Sequence, residues 1–214
     1  MSVACVVVAG GSGSRFGGLK QFAQLGGDTV TGHSIRAARS VASLVVLVAP
    51  QGHTDDMQGA DVVVAGGTTR ADSVRAGINA CGDAEIIVVH DAARPLASPA
   101  LFAAVVGAIR DGAEACVPGL GITDTVKRIA QSNGEVIVSE TIARDELVTV
   151  QTPQAFRAEI LKRAHASKSD ATDDAGLVEA LGTRVVVVLG EPSNIKITHP
   201  GDIEQAERIA GSVV

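Results

Sequence analysis

The sequence has no tryptophan, no tyrosine and only four phenylalanines in 214 residues. Its core must therefore be aliphatic, and a nucleic-acid surface that stacks bases on aromatic platforms is excluded. Positive charge is also in deficit. Eighteen Lys and Arg face 24 Asp and Glu, a net charge of −6 that does not suit a phosphate-backbone partner. The three cysteines, Cys5, Cys81 and Cys116, are odd in number and lack metal-ligand spacing. Buried free thiols in a reducing compartment are expected, not a disulfide framework. Long hydrophobic runs are missing too. The apolar start at 3–9 has no basic residue before it and is interrupted at once by glycine, so it is neither a signal peptide nor a membrane span. The expectation is a cytoplasmic protein with no membrane and no nucleic-acid partner.

Glycine, valine and alanine are abundant. The chain opens on Val6-Val-Val-Ala-Gly-Gly-Ser-Gly-Ser-Arg-Phe-Gly-Gly-Leu-Lys20, an apolar β-branched run leading into a loop in which five of the nine residues 10–18 are glycine. Such a loop lets backbone N–H groups approach an anion, and Arg15 and Lys20 add full positive charge. The loop reads as a polyphosphate cradle; the plainer alternative is a strand-to-helix turn with solvated cations. It lacks the Gly-Lys-Ser/Thr ending of a P-loop, and its third glycine comes one position too late for the dinucleotide fingerprint, which favours a nucleoside triphosphate over NAD.

At this length one α/β domain spanning 1–214 is expected. Short β-branched runs at Val3–Val8, Leu44–Ala49, Val62–Ala65, 86–89 and Val185–Leu189 suit strands buried on both faces. Helical patterns lie between them at 32–41, 70–80, Pro99–Arg110, 154–166, 173–181 and 200–209. The alternation gives a mostly parallel, doubly wound, Rossmann-like sheet. One segment breaks it: around 122–143 two β-prone pieces flank Asn133-Gly134, a strong hairpin signal. A two-stranded arm buries little by itself, so it should pack on a second copy of the chain in a homodimer.

In an open parallel sheet, ligands bind beyond the carboxyl ends of the strands. After 62–65 comes Gly66-Gly-Thr-Thr-Arg70-Ala-Asp-Ser73-Val, where Gly67 and Ser73 could read a base edge and Arg70, Ser73 and Gly77 share one helix face, with Val74 and Ile78 opposite. A plain capped helix is the alternative. After 86–89 comes His90-Asp-Ala-Ala-Arg94-Pro. Asp91 and Arg94 either salt-bridge within a turn or bind substrate, Asp91 through a sugar hydroxyl; His90 reads as a buried, hydrogen-bonded histidine and not a base. Thr125, Lys127 and Arg128 fall on the arm and Arg144 just beyond it. Thr152-Pro153-Gln154 and Thr172-Asp173-Asp174 read as helix starts, for which ordinary capping is a sufficient account. Lys196, inside an alternating apolar stretch, should be half buried and want an anion. An acidic chain that gathers Arg15, Lys20, Arg70, Arg94, Arg144 and Lys196 near strand-end loops suits an anionic substrate pair.

With these residues assembled, the chain closely resembles the 2-C-methyl-D-erythritol 4-phosphate cytidylyltransferase family almost from end to end. The resemblance rests on seven elements in order: the Gly-rich loop with Arg15 and Lys20-Gln21; Gly66-Gly-Thr-Thr-Arg70-Ala-Asp-Ser73; His90-Asp-Ala-Ala-Arg94-Pro; Asp124-Thr125-Val-Lys127; Gln151-Thr152-Pro-Gln-Ala-Phe156; Thr172-Asp-Asp-Ala; and Asn194-Ile-Lys196-Ile-Thr198. It implies transfer of CMP from CTP to methylerythritol phosphate, with Mg²⁺ held mainly by the triphosphate and a β-arm exchanged in the homodimer. It also implies roles: Arg15 and Lys20 at the transition state, Arg144 and Lys196 on the substrate phosphate, Ala9, Gly10, Gly11, Gly13, Gly67, Arg70 and Ser73 around CTP, and Asp91, Arg94, Thr125, Thr152 and Thr172 around methylerythritol. The stretch from Arg15 to Lys20 is shorter than the family's, and Gly17-Gly18 can absorb the altered path. The rival functions are a ribitol 5-phosphate cytidylyltransferase and a non-catalytic nucleotide-binding paralogue.

Overall fold

A computed structural model describes residues 1–11, 13, 16–55, 59–166 and 171–211. In chain order, β1 (Val3–Val8) leads into the glycine loop, a small hairpin of β2 (Gln24–Leu25) and β3 (Asp28–Thr29), and α1 (Val30–Ala38). Next come β4 (Leu44–Ala49), β5 (Val62–Ala65), α2 (Arg70–Asn79), β6 (Ile86–Asp91) and α3 (Pro99–Arg110). Then follow β7 (Ala115–Gly121), the arm strands β8 (Val126–Ser132) and β9 (Glu135–Ile142), β10 (Val148–Val150), β11 (Gln154–Arg157) and α4 (Ala158–Ala166). The chain closes with α5 (Asp174–Glu179), β12 (Val185–Leu189) and α6 (Gly201–Gly211).

The main sheet runs β5, β4, β1, β6, β11, β7, with β10 and β12 both paired to β7. β5, β4, β1 and β6 are parallel, Val6 lying beside Val46 on one side and Val89 on the other. β11 runs antiparallel between β6 and β7, and β12 is parallel to β7. Because strand side chains alternate, β1 feeds two cores. Val3, Cys5 and Val7 pack with Val45, Leu47, Val88 and the α3 residues Phe102 and Val105, whereas Ala4 and Val6 pack with Val46, Val48, Val89, Val74 of α2 and Leu161 of α4. The three cysteines are buried and unpaired, and burial pushes Cys81 up to about 12 and Cys116 up to about 11, which keeps both thiols protonated and inert.

The expected Rossmann-like α/β sheet is present, with differences that have physical causes. The helix expected over 154–166 starts at Ala158; Gln154, Ala155 and Phe156 are fully covered because they fill the slot between β6 and β7. Tertiary packing overrides local pattern here. β5 and β12 are not doubly buried: both sit at sheet edges, and Leu189 is 82% exposed. β7, β10 and the β2–β3 hairpin add to the strands that the sequence pattern marks. The arm is a two-stranded sheet whose turn residues Asn133 and Gly134 have φ of 49° and 83°, as a tight hairpin turn requires. It leaves Ile129, Val136, Ile137 and Val138 exposed. Among the described residues no helix is long and apolar enough to cross a membrane.

Candidate active site

The loops beyond the carboxyl ends of β1, β5 and β6 surround a cavity of about 660 Å³. Its wall combines Ala9, Gly10 and Gly11 after β1, Lys20 and Gln21, the 67–70 turn with Ser73, Asp91 with Ala92 and Ala93, and Lys196. Chain-distant segments therefore meet at one place, as the switch point of an open α/β sheet demands.

Two glycines are fixed here by close approach. A Cβ on Gly66 would come within 2.9 Å of Ser73 Oγ and 3.1 Å of Ala49 O, and one on Gly67 would overlap the side chain of Asp72. The turn is tied down from within: Ser73 Oγ accepts from Gly67 N at 3.1 Å and donates to Thr69 O at 3.0 Å. Thr69 and Asp72 form a reciprocal capping box that starts α2. The expected split of α2 holds for Arg70 and Ser73, which face the cavity, and for Val74 and Ile78, which face the core, but not for Gly77. Ser73, Val74, Gly77 and Ile78 are all buried, because Gly77 lets the helix lie directly on Val6 and Val48.

The cations are held by partners within the chain. Lys20 Nζ donates to Ile197 O at 2.7 Å, clasping the segment that carries Lys196. Lys196 Nζ lies 2.6 Å from Asp91 Oδ2, and Arg70 Nη2 lies 3.3 Å from Asp91 Oδ1 and 2.8 Å from Asp174 Oδ2. Burial alone would raise the Asp91 pKa, but Arg70 and Lys196 outweigh it and hold the carboxyl well below the usual carboxylate range. Burial likewise works against the charge on Arg70, and the two carboxylates more than offset it. The plainer reading of Asp91 and Arg94 as a local ion pair is replaced: Arg94 Nη1 instead donates to Asn194 O at 2.8 Å.

His90 is fully buried, with Nε2 3.2 Å from Arg94 O and Nδ1 3.2 Å from Thr152 Oγ1. A carbonyl can only accept, so Nε2 carries the proton and Nδ1 accepts from the Thr152 hydroxyl. Burial lowers the pKa to about 4, and with both nitrogens occupied His90 is no general base. Thr152 Oγ1 also accepts from Asp91 N at 3.0 Å, so it sets the end of β6 and does not cap a helix. Likewise Asp173, not Thr172, caps α5, accepting from Gly176 N at 3.0 Å. Gln151 and Asn194 complete the frame. Gln151 Oε1 accepts from Glu191 N at 3.0 Å and Asn194 Nδ2 at 3.2 Å, and Asn194 Nδ2 also donates to Thr152 O at 2.9 Å. These buried bonds fix the Lys196 segment against the start of β11.

Of the residues singled out in the sequence, Ala9, Gly10, Gly11, Lys20, Gly67, Arg70, Ser73, Asp91 and Lys196 line the cavity. Arg94 and Thr152 brace its wall from behind, and Gly13, with φ of 65°, turns the glycine loop. Thr125 and Arg144 lie at the arm, where Arg144 Nη1 donates to Thr123 O; Thr172 is exposed ahead of α5, and none of the three lines the cavity. Arg15 lies outside the described residues. Sequence reasoning missed Asp174. No local signal marks it, since a second carboxylate in the first turn of a helix is ordinary.

A profile of the 2-C-methyl-D-erythritol 4-phosphate cytidylyltransferases matches residues 3–212. The chain belongs to this family. It is 42% identical over 216 residues to the cytidylyltransferase of that name from Rhodococcus jostii, covering 97% of this chain and 94% of that protein. It is also 44% identical over 221 residues to a bifunctional enzyme IspD/IspF from Anaeromyxobacter sp., of which it spans 57% while 97% of this chain is covered. The crystal structure of the cytidylyltransferase from Thermus thermophilus superposes with a TM-score of 0.83 at 36% identity, covering 99% of this chain and 100% of that one. The fold of this family member is that of the cytidylyltransferases.

Proposed function

We propose that this protein transfers CMP from CTP to 2-C-methyl-D-erythritol 4-phosphate and releases pyrophosphate. The observation that carries the reading is the convergence of Lys20, Arg70 and Lys196, from three distant parts of a cytidylyltransferase-family chain, on one glycine-rich cavity. Two anions must meet for this reaction, so neutralising charge and fixing alignment are the tasks that matter.

An oxygen of the acceptor phosphate attacks the α-phosphorus in line, forming the new P–O bond. The bond to the β-phosphate breaks, and its electron pair leaves with pyrophosphate. The attacking phosphate is already ionised, so no base is required, in keeping with the sequestered His90. Lys20, together with Arg15, meets charge developing on the triphosphate. Lys196 exchanges Asp91 for the acceptor phosphate, and Asp91 is then offered to a hydroxyl of the acceptor. The glycine loop supplies N–H groups to phosphate oxygens, and the turn held by Ser73 offers its backbone to the cytosine edge.

Among the described residues no cluster of three or more His, Cys, Asp or Glu could hold a metal, and Asp91 is the one carboxylate among the described residues that line the cavity. That donor set suits a magnesium ion carried by the triphosphate itself, with at most one protein carboxylate, the usual habit of Mg²⁺ at phosphate sites. Bound there, it would neutralise triphosphate charge. The exposed apolar side chains of the arm favour a homodimer in which Thr125 and Arg144 serve the neighbouring subunit's cavity. Both substrates are water-soluble anions, in line with a cytoplasmic enzyme.

The test is pyrophosphate release from CTP and Mg²⁺ with each acceptor separately. Release with methylerythritol phosphate and little with ribitol 5-phosphate is expected. The reverse preference, or no turnover with either, overturns the reading in favour of a ribitol phosphate enzyme or a non-catalytic binder.

A further inference from the structure

Behind the cavity wall, a line of alternating charge runs into the protein. Lys196 Nζ lies 2.6 Å from Asp91, Asp91 3.3 Å from Arg70, Arg70 2.8 Å from Asp174, and Asp174 Oδ1 3.0 Å from His165 Nε2. The outer members are partly open, with side-chain exposures of 41% at Lys196, 12% at Asp91 and 32% at Arg70, and the inner two are covered, at 1% for Asp174 and 3% for His165. Neither Asp174 nor His165 lines the cavity, so neither meets substrate. A carboxylate this deeply covered is costly unless paired, and its partners are the Arg70 guanidinium and the His165 N–H.

We infer that Asp174, held by His165, is a positioning residue that pins Arg70, and through Arg70 fixes Asp91, while Lys196 trades Asp91 for the acceptor phosphate. The inference rests on the role given to Lys196 above. A guanidinium shared by two carboxylates cannot follow either one. Without the inner anchor, Arg70 would have a single carboxylate partner and would be free to move with it, drawing Asp91 out of place. With the anchor, Asp91 keeps one cationic partner throughout the exchange. His165 sits on α4 and Asp174 on α5, so the line also ties the two helices to the end of β6.

The experiment is a double-mutant cycle of Asp174→Asn and Asp91→Asn, with kinetics for the acceptor at saturating CTP and for CTP at saturating acceptor. Asp174→Asn should lower kcat/KM for the acceptor about tenfold and leave KM for CTP nearly unchanged. In the Asp91→Asn background the same substitution should cost less than about twofold, because neighbours in one network are not additive. Losses that simply multiply, or a KM for CTP that rises in parallel, overturn the inference. If Asp174→Asn does not fold, His165→Leu should lower kcat/KM for the acceptor and His165→Gln, which keeps a donor, should restore most of it; equal behaviour of the two is contrary. Side-chain ¹⁵N spectra of arginine-labelled protein supply a readout free of turnover. The Arg70 guanidinium should rotate slowly in the wild type and quickly in Asp174→Asn or, where that variant does not fold, in His165→Leu. An unchanged rate refutes the positioning role even if the wild type proves inactive, an outcome that would instead refute the substrate reading.

Discussion

Replacing Lys196 by methionine separates what this side chain does for catalysis from what it does for the fold. Its side chain is 41% exposed, and its ammonium pairs with an Asp91 carboxylate that keeps Arg70 as a second partner. An ion pair exposed only on its lysine side, whose carboxylate keeps a second cation, contributes about 1 kcal/mol, and methionine retains most of the stem. The melting temperature should therefore move by no more than about 2–4 °C for a chain of this size. The kinetic effect should be far larger. A donor aimed at charge that must be neutralised for reaction is worth about 10²–10³ in rate, so kcat/KM for the acceptor should fall by that factor. Coupled detection of pyrophosphate measures the rate, and circular dichroism follows unfolding, since a protein without Trp or Tyr offers almost no intrinsic fluorescence. Turnover within a few-fold of wild type would refute the assignment. So would a loss of activity matched by a collapse in stability, which would make Lys196 a structural rivet.

Other outcomes follow from the same geometry. Lys20→Ala should lose about 10²–10³ in kcat with the fold retained, judged by steady-state kinetics. Gly77→Ala places a Cβ 2.9 Å from Val48 Cγ2 and in overlap with Val6, so α2 must lift; urea unfolding should register a loss of about 1–3 kcal/mol despite alanine's better helix propensity. His90 is held neutral, with its pKa lowered to about 4 from an ordinary 6.5. The unfolded chain then binds the extra proton first, so its contribution is present above pH 6.5 and is lost as pH falls toward 4, about 3 kcal/mol in all. Removing the imidazole by His90→Asn should flatten unfolding free energy against pH across that window. The proposed homodimer predicts a dimer in sedimentation velocity and a shift to monomer with Val138→Asp on the exposed arm.

Much of this was legible in the chain itself. The β-branched runs gave β1, β4 and β5 with their bounds, because a parallel sheet needs such residues and glycine or polar loops stop them. The glycine-rich loop, Arg70, Asp91 and Lys196 could be recognised because backbone approach and half-buried charge each leave a local mark. What stayed hidden depends on partners distant in sequence. Residues 154–157 carry a helix-like pattern and become a strand because β6 and β7 leave a slot between them. Thr152 resembles a helix cap and instead receives the Asp91 amide. Asp91 and Arg94 look like a turn ion pair, yet each is claimed by residues about a hundred positions away, Lys196 and Asn194. Asp174 is the extreme case, since nothing within α5 reveals that an arginine from α2 will arrive there.

Lys20 and Lys196 face one cavity, and the proposed reaction requires both substrates to sit together in it. Crystals of the protein with Mg²⁺, a non-hydrolysable CTP analogue and methylerythritol phosphate test it most directly. The α-phosphorus and the acceptor phosphate should lie side by side between these two lysines, with Lys196 turned from Asp91 to the acceptor. That placement is contradicted if the two ligands occupy separate surfaces, or if Lys196 keeps its bond to Asp91 while the acceptor phosphate rests elsewhere.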